Sequence, residues 1–225
     1  MNKLNHVAFI MDGNGRWGLK HKKNRNLGHL EGVNTVKKIV DASIKLNIPI
    51  VTFYVFSSEN WLRPSNEIKY LFKLIHNYFK LELKNIIKNN IKINILGRNK
   101  NLPTKIKKIL KKTINLTKRN KKIIVNLAIN YGSKNEIIDS VKKVNLNKLK
   151  ITEKTIDKFL YTRLPFPDIL IRTGGQKRLS NFMLWQLSYA ELFFLEKLWP
   201  DFNKNDLKTI LKKFRKIKRN FGSIL

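Results

Sequence analysis

The chain of 225 residues contains no cysteine, which excludes disulfide bonds and thiolate metal sites. It also lacks an apolar run of the roughly 20 residues needed to cross a bilayer, and its first residues lack the basic-then-apolar pattern of a signal peptide. A Gly-x-x-x-x-Gly-Lys-Ser/Thr segment is absent too, which argues against a P-loop nucleotidase. These absences predict a cytoplasmic protein, and the length predicts a single domain over residues 1–225.

Acidic residues are scarce, since 15 Asp and Glu accompany 47 Lys and Arg and give a formal net charge of +32. One interpretation is a nucleic-acid-binding protein, because clustered cations displace counterions from a phosphate backbone. However, the charge is spread from Lys3 to Arg219, is mostly lysine, and accompanies abundant asparagine and isoleucine. These are residues of A/T-rich codons, so we interpret most of the charge as background and expect no nucleic-acid partner. The remaining positive charge suits the binding of anionic lipid headgroups and polyphosphate substrates.

Short apolar runs alternate with helical patterns along the chain, and no repeat or linker divides it. This alternation predicts an α/β fold with one largely parallel sheet of about six strands, covered by helices. The predicted strands are residues 6–11, 48–56, 91–96, 123–128, 168–172 and 191–195. The predicted helices are residues 34–46, 64–89, 105–116, 135–144 and 206–217.

The long predicted helix at 64–89 carries a stripe of large apolar side chains. The stripe either faces the core or lines a cleft for an apolar ligand between helix and sheet, and the spacing does not separate these alternatives. Its members are Ile68, Leu71, Phe72, Ile75, Phe79, Leu83, Ile86 and Ile87.

The segment 11–17, Met-Asp-Gly-Asn-Gly-Arg-Trp, follows the first apolar run and predicts a tight loop after a buried strand. Its glycines allow backbone amides to approach a ligand closely, and its arginine offers a planar set of donors that suits phosphate. Asp12 is a lone carboxylate of the kind that holds Mg²⁺ bridged to phosphate oxygens. The segment therefore predicts a diphosphate site at the carboxyl end of a strand, where open α/β sheets bind their ligands.

Three further segments, 25–29, 57–64 and 172–182, also concentrate groups that suit anions. The first offers Arg25 and His29, although a lone histidine is more often an ordinary surface or core residue. In the second, turn and capping chemistry explains the serines and proline but not Trp61 and Arg63. The third has two arginines, a glycine pair and a hydroxyl, and it predicts a second anion-binding loop.

Together these segments closely resemble the cis-prenyltransferases, in particular the bacterial undecaprenyl diphosphate synthases. The matching blocks follow the family's order over nearly the whole chain. They are residues 6–17, 28–29, 56–61, 63–64, 130–132, 171–175, 178–186, 189–192 and 199–202. The Asp-Asp-x-x-Asp motif of the all-helical trans-prenyl synthases is absent.

The resemblance implies that isopentenyl diphosphate units are added repeatedly, with cis double bonds and with Mg²⁺, to farnesyl diphosphate. The implied product is undecaprenyl diphosphate, the precursor of a lipid carrier for cell-wall polysaccharide, although another chain length remains an alternative. The resemblance also implies an apolar channel between sheet and helices for the growing chain, a homodimer, and peripheral association with the inner face of the membrane.

The resemblance further implies residue roles. Asp12 is expected to handle Mg²⁺ and diphosphate, Glu191 to be a further Mg²⁺ contact, and Asn60 to be the proton acceptor. The allylic diphosphate is expected at Gly13, Asn14, Gly15, Arg16, Trp17, Arg25 and His29, and the isopentenyl diphosphate at Arg172, Arg178, Leu179 and Ser180. The residues around Asn60 that are expected to bind substrate are Ser57, Ser58, Glu59, Trp61 and Arg63.

The chain departs from the family at two places. Gln176 and Lys177 stand where a carboxylate and a histidine are common, and Asn220 stands where the carboxyl-terminal Arg-x-Gly pattern has arginine. These changes bear on affinity or rate more than on the type of reaction. A non-catalytic partner of a two-subunit prenyltransferase is disfavoured. Such partners lose the aspartate of the first loop, whereas this chain retains it as Asp12.

Overall fold

Six parallel strands form one open sheet in the computed structural model, which describes residues 2–220. They are β1 (His6–Ile10), β2 (Ile50–Ser57), β3 (Ile91–Leu96), β4 (Ile123–Tyr131), β5 (Ile169–Arg172) and β6 (Glu191–Phe194). Their order across the sheet is β3-β4-β2-β1-β5-β6. The apolar runs suit parallel strands that are buried on both faces. The predicted fold class is confirmed, and each predicted strand is present within three residues at either end.

Seven α-helices occur within residues 2–220. They are α1 (Asn14–Lys22), α2 (Arg25–Lys45), α3 (Ser65–Lys88), α4 (Thr104–Thr117), α5 (Ser133–Leu146), α6 (Glu153–Phe159) and α7 (Lys204–Lys216). Helices α2, α3, α4 and α7 contribute to one large apolar cluster on one face of the sheet. A second cluster, with Tyr131, Phe182 and Met183, lies on the other face. In this part of the chain, no helix is long and apolar enough to cross a membrane.

Side chains along β1 alternate between the two clusters, as a strand requires. Val7 and Phe9 lie in the large cluster, whereas Ala8 and Ile10 lie in the second. Phe9 stacks on Phe53 with 4.9 Å between ring centroids. Strand β1 therefore lies at the centre of the core. The chain that follows it starts from a fixed position at the carboxyl ends of the strands.

The helices around residues 14–34 differ from the prediction. Residues 14–22 form α1 rather than a loop, and α2 begins at Arg25 rather than near residue 34. Asn24 caps α2, since its side chain accepts a hydrogen bond of 2.8 Å from the Asn26 amide. Local propensity misses α1 because glycines interrupt it, and packing against α2 stabilises it instead. Helix α6 was also not predicted, although Thr152 caps it.

Helices α1 and α2 approach so closely that their contact has no room for side chains. A Cβ atom on Gly28 would lie 1.9 Å from the carbonyl oxygen of Asn14, and one on Gly18 would lie 2.4 Å from that of Asn24. Gly13, before α1, has a φ of 108°, which side chains rarely tolerate. Glycine at these positions therefore places α1 directly between the end of β1 and the first turns of α2.

A chain of buried side-chain hydrogen bonds crosses the sheet beneath the second cluster. Asn94 donates to Asn126 (3.1 Å), and Asn126 donates to the Thr52 hydroxyl (2.9 Å). Thr52 in turn lies 2.6 Å from Nε2 of His6, whose Nδ1 lies 2.7 Å from the carbonyl oxygen of Pro165. Because that carbonyl only accepts, Nδ1 carries a proton. Burial lowers the pKa of His6 to about 4, which leaves the ring neutral at pH 7.

The buried neutral His6 makes stability depend on pH. Between the unfolded pKa of 6.5 and the folded pKa of about 4, only the unfolded chain binds this proton. We expect His6 to cost about 3 kcal/mol of unfolding free energy as the pH falls from 7 to 4. Urea unfolding of the wild type and of His6→Gln at several pH values measures this difference. Parallel pH curves for the two proteins, or an imidazole in the wild type that protonates near pH 6.5 by NMR, would contradict it.

Candidate active site

A cavity of about 760 Å³ opens where β1, β2 and β5 end and extends between the sheet and helices α2 and α3. Its mouth is polar and its interior apolar. The mouth is lined by Asp12, Arg16, Arg25, His29, Arg63, Arg172 and Arg178, and the interior by Val33, Val36, Leu71, Leu74, Ile75, Tyr78 and Phe79. The stripe on α3 therefore divides: Leu71, Ile75 and Phe79 line the cavity, whereas Leu83 and Ile86 do not and are buried.

The carboxylate of Asp12 lies between two guanidinium groups. Its Oδ1 accepts a hydrogen bond of 3.2 Å from Arg16, and its Oδ2 accepts one of 2.8 Å from Arg172. Arg172 is almost fully buried, with 3% of its side chain exposed, whereas the Asp12 side chain is 28% exposed. Asp12 thus compensates a buried cation on one side and faces the cavity on the other.

The turn after β5 folds over the Arg172 guanidinium. Arg172 donates to the Ser180 hydroxyl (2.8 Å) and to the carbonyl oxygen of Arg178. Gly174 accepts from Arg16 at 2.7 Å, so the same turn also holds the second guanidinium that contacts Asp12. The segments at 12–16 and 172–180, far apart in sequence, therefore form one cationic site.

The amino terminus of α1 points its first backbone amides towards this mouth. Its first turn has no acidic residue and no side-chain cap. Helix N-termini leave such amides unpaired and attract anions. The Arg25 guanidinium packs over Gly15, since a Cβ there would lie 2.7 Å from Cζ of Arg25. Gly13, Asn14, Gly15 and Arg16, which are predicted to bind the allylic diphosphate, all line the cavity.

Glu67 on α3 joins three of the predicted cationic groups, and sequence reasoning missed it. Its carboxylate lies 3.4 Å from Nε of Arg25, 3.2 Å from Nε2 of His29 and 3.1 Å from Nη1 of Arg63. Burial alone would raise the pKa of Glu67, but Arg25, Arg63 and His29 hold it below its usual value. Burial lowers the pKa of His29, and the attraction of Glu67 offsets this only in part. The four-residue spacing from Arg63 was the available signal.

The segment 57–60 reaches the cavity through Ser57, Glu59 and Asn60. The amide oxygen of Asn60 accepts a hydrogen bond of 3.1 Å from the backbone N–H of Ser57, so this side chain shapes its own loop. Glu59 accepts one of 2.7 Å from Asn181, another lining residue that the sequence did not single out. Burial would raise the pKa of Glu59, but hydrogen bonds, first of all from Asn181, lower it. The role of Asn60 as proton acceptor stays a prediction.

Four residues predicted to bind substrate do not line the cavity and instead make structural contacts. Trp17 donates to Asp201 (2.7 Å), and Trp61 donates to Asn130 (2.8 Å). The other two are Ser58, which packs beside Gly132, and Leu179, which packs against the second apolar cluster.

Glu191 is not near Asp12 within one chain. It begins β6 opposite Ile169, whereas Asp12 follows Ile10, which is opposite Arg172. Because all strands are parallel, these positions lie at opposite ends of the sheet. The carboxylate of Glu191 lies 3.6 Å from Nε of Arg219. Its role as a metal ligand stays a prediction, and one chain does not bring it to Asp12.

Among residues 2–220, no three His, Asp or Glu side chains converge as a metal site. Asp12 and Glu59 both place an accessible carboxylate in the cavity lining, and of the two Asp12 is the one that lies between the guanidinium groups of Arg16 and Arg172. A single carboxylate suits Mg²⁺ that takes its other ligands from substrate phosphates and water. The donor set therefore fits a Mg²⁺ ion that is bound together with a diphosphate.

The departures from the family pattern have distinct surroundings. The amide oxygen of Gln176 accepts a hydrogen bond of 2.5 Å from Arg178, so the uncharged side chain still contacts a cavity arginine. Lys177 is exposed. Asn220 is exposed as well, and Phe221 and Gly222, the rest of that pattern, lie outside the described residues.

Comparison with known proteins places this chain in a family. A prenyltransferase family model, that of undecaprenyl diphosphate synthase, matches residues 10–222. An isoprenyl transferase of Fusobacterium nucleatum is 42% identical over 97% of this chain and 96% of its own length. One from Staphylococcus saprophyticus is 44% identical over 97% of this chain and 89% of its own.

Solved structures agree with the fold. Lavandulyl diphosphate synthase from Lavandula x intermedia, in complex with dimethylallyl diphosphate, superposes with a TM-score of 0.92 at 32% identity, covering 97% of this chain and 98% of that one. A probable undecaprenyl diphosphate synthase from Campylobacter jejuni gives 0.86 at 36% identity, covering 99% and 100%.

The Glu67 cluster predicts an unequal effect of two similar substitutions. Glu67→Gln leaves Arg25, His29 and Arg63 without their carboxylate, and we expect it to lower the unfolding free energy by about 1–2 kcal/mol. The matched control is Glu31→Gln, whose carboxylate pairs with the exposed Lys38, and it should cost at most about 0.5 kcal/mol. Urea unfolding at pH 7 measures both. Equal losses would show that the Glu67 cluster contributes nothing beyond a surface ion pair.

Proposed function

Because the chain belongs to the undecaprenyl diphosphate synthase family of prenyltransferases, we propose that it adds isopentenyl diphosphate units, with cis double bonds, to farnesyl diphosphate. One observation carries this proposal: a strongly cationic mouth opens directly onto an apolar cavity of about 760 Å³. That combination suits a molecule with a diphosphate head and a hydrocarbon tail. The dimethylallyl diphosphate in complex with the lavender enzyme is another allylic diphosphate, which supports this class of substrate.

The mouth has two groups of anion-binding residues, as a reaction between two diphosphates requires. The first consists of the amides at the start of α1 with Arg25, His29 and Arg63, and we assign to it the allylic diphosphate. The second consists of Arg172, Arg178 and Ser180, and we assign to it the isopentenyl diphosphate. Asp12 lies next to both.

The chemistry explains why these groups are fixed before substrate arrives. The allylic C–O bond breaks and diphosphate leaves with the electron pair, while the double bond of isopentenyl diphosphate supplies the electrons of the new C–C bond. A proton then leaves the adjacent carbon to restore a double bond. Guanidinium groups and amides held in place stabilise the departing negative charge. The apolar wall of Val33, Val36 and Leu71 excludes water, which would otherwise capture the cationic carbon.

Asp12 is the residue that would hold Mg²⁺, together with diphosphate oxygens. The ion would neutralise part of the charge on the leaving group. Arg16 and Arg172 donate hydrogen bonds to the carboxylate of Asp12 and fix its orientation. We also propose a homodimer, which the exposed edge strand β6, with Leu192 44% exposed, supports.

Product formation tests the proposal directly. Purified protein with Mg²⁺, farnesyl diphosphate and labelled isopentenyl diphosphate should yield a labelled polyprenyl diphosphate that extracts into organic solvent. Asp12→Asn should lower the rate by about 10³-fold or more, because the carboxylate that orients Arg172 and holds the ion is lost. Asp41→Asn, an exposed aspartate of α2, is the matched control and should leave the rate unchanged.

Circular dichroism of both variants checks that the fold survives. The absence of any extractable product from the wild type would refute the proposed reaction, and normal turnover by Asp12→Asn would refute the role of Asp12.

The depth of the cavity predicts a residue that limits product length. Along α3, Phe79 follows Glu67 by twelve residues, a rise of about 18 Å away from the mouth. Tyr78 lines the cavity at this far end, and burial raises the pKa of its hydroxyl to about 12, so the group stays neutral. Tyr78→Ala should lengthen the product by at least one isoprene unit in mass spectrometry. Tyr70→Ala, on the same helix outside the cavity, is the control, and identical product lengths for the two variants would contradict this role.

A further inference from the structure

We propose that the carboxyl-terminal ends of α3 and α4 form a surface that docks on an anionic lipid bilayer. We define this basic end face by residues that are all exposed: Leu81, Lys84, Lys88, Leu116, Lys118 and Arg119. They come from the last turns of α3, the end of α4 and the two residues after α4.

The topology places these residues at one end of the molecule. Helix α3 connects β2 to β3, and α4 connects β3 to β4. Because the strands are parallel, both helices run back towards the amino ends of the strands, and they pack beside each other. Their carboxyl ends therefore lie together, opposite the end of the sheet that carries Asp12 and Arg172.

The charge in the segment that contains this face has one sign only. No acidic residue occurs between Glu82 and Glu136, while that segment contains 15 lysines and arginines. Within residues 2–220, Lys84, Lys88, Lys118 and Arg119 form no ion pair. These cations are therefore available to an external anionic partner.

Exposed apolar side chains among the cations favour a lipid surface over a nucleic acid. Leu81 is 73% exposed, Leu116 is 50% exposed and Ile87 is 39% exposed. At a bilayer, lysines contact phosphate headgroups while leucines enter the boundary of the acyl chains. A nucleic-acid backbone would engage the lysines but would leave the leucines in water.

The cavity links this face to the chemistry, in an argument that rests on the proposed function. Tyr78 and Phe79 line the far end of the cavity, and Leu81 lies on the outer side of the same turn of α3. A prenyl chain that outgrows the cavity would emerge at this end of the molecule. Docking there would pass the hydrocarbon into lipid and would keep the diphosphate sites facing water.

Vesicle sedimentation with the full chain tests the docking face. We expect binding to phosphatidylcholine vesicles that contain phosphatidylglycerol, no binding to phosphatidylcholine alone, and weaker binding at high salt. The triple variant Lys84→Glu/Lys88→Glu/Lys118→Glu should weaken binding roughly 100-fold. The matched control, Lys143→Glu/Lys150→Glu/Lys154→Glu, makes the same charge change around α5 and α6 and should weaken it less than about fivefold.

A second pair of variants tests the apolar contribution. Leu81→Ser should weaken vesicle binding about tenfold. Leu146→Ser removes a side chain that is 81% exposed on α5, and it should have no effect. Equal losses from the two lysine triples, an unaltered affinity in Leu81→Ser, or tighter binding to duplex DNA than to the vesicles would overturn the proposal.

Prenyl transfer in the absence of vesicles separates this proposal from the previous one. The docking variants should retain the wild-type rate there, because none of the substituted residues lines the cavity. A wild type that binds the anionic vesicles through this face but makes no product would refute the proposed reaction and support the docking surface. A wild type that makes product but does not bind the vesicles would support the proposed reaction and refute the docking surface.

Discussion

The arrangement of the site depends on the contact between α1 and α2. Glycine at positions 18 and 28 lets the two helices approach until any Cβ atom would collide with backbone. Only at this distance do the first amides of α1, next to Asp12, face the same mouth as Arg25 and His29 of α2. The close helix contact thus replaces a longer loop and holds a segment of weak helical propensity as a helix beside the mouth.

Carboxylates hold the cationic mouth in place. Asp12 bridges Arg16 and the buried Arg172, and Glu67 bridges Arg25, His29 and Arg63. Fixed guanidinium groups stabilise developing charge without reorganising at the moment of reaction. The two carboxylates are therefore as much a part of the site as the arginines. The low pKa of Glu67 shows that its partners keep it charged against the cost of burial.

Helix α3 has an apolar face towards the cavity and a basic face towards solvent. Its inner face carries Leu71, Ile75 and Phe79 along the cavity, and its outer face carries lysines and Leu81. The parallel sheet makes the two ends of the molecule different. The polar loops follow the carboxyl ends of the strands, and the crossover helices end near the amino ends of the strands. A head-and-tail molecule fits this polarity, with charge at the mouth and hydrocarbon along the helix.

The sequence by itself determined the strands, the fold class and most of the mouth. Apolar runs that alternate with helical patterns favour a parallel sheet covered by helices. Asp12, Arg172 and Arg178 lie at or after the carboxyl ends of strands, where open α/β sheets bind their ligands. It did not determine α1, because glycines interrupt this helix and only its packing against α2 stabilises it. Nor did it separate Trp61, which supports Asn130, from Arg63, which faces the cavity. Only the tertiary structure joined Glu67 to three cations and set Glu191 at the far end of the sheet, because strand register and helix packing relate residues that no spacing along the chain connects.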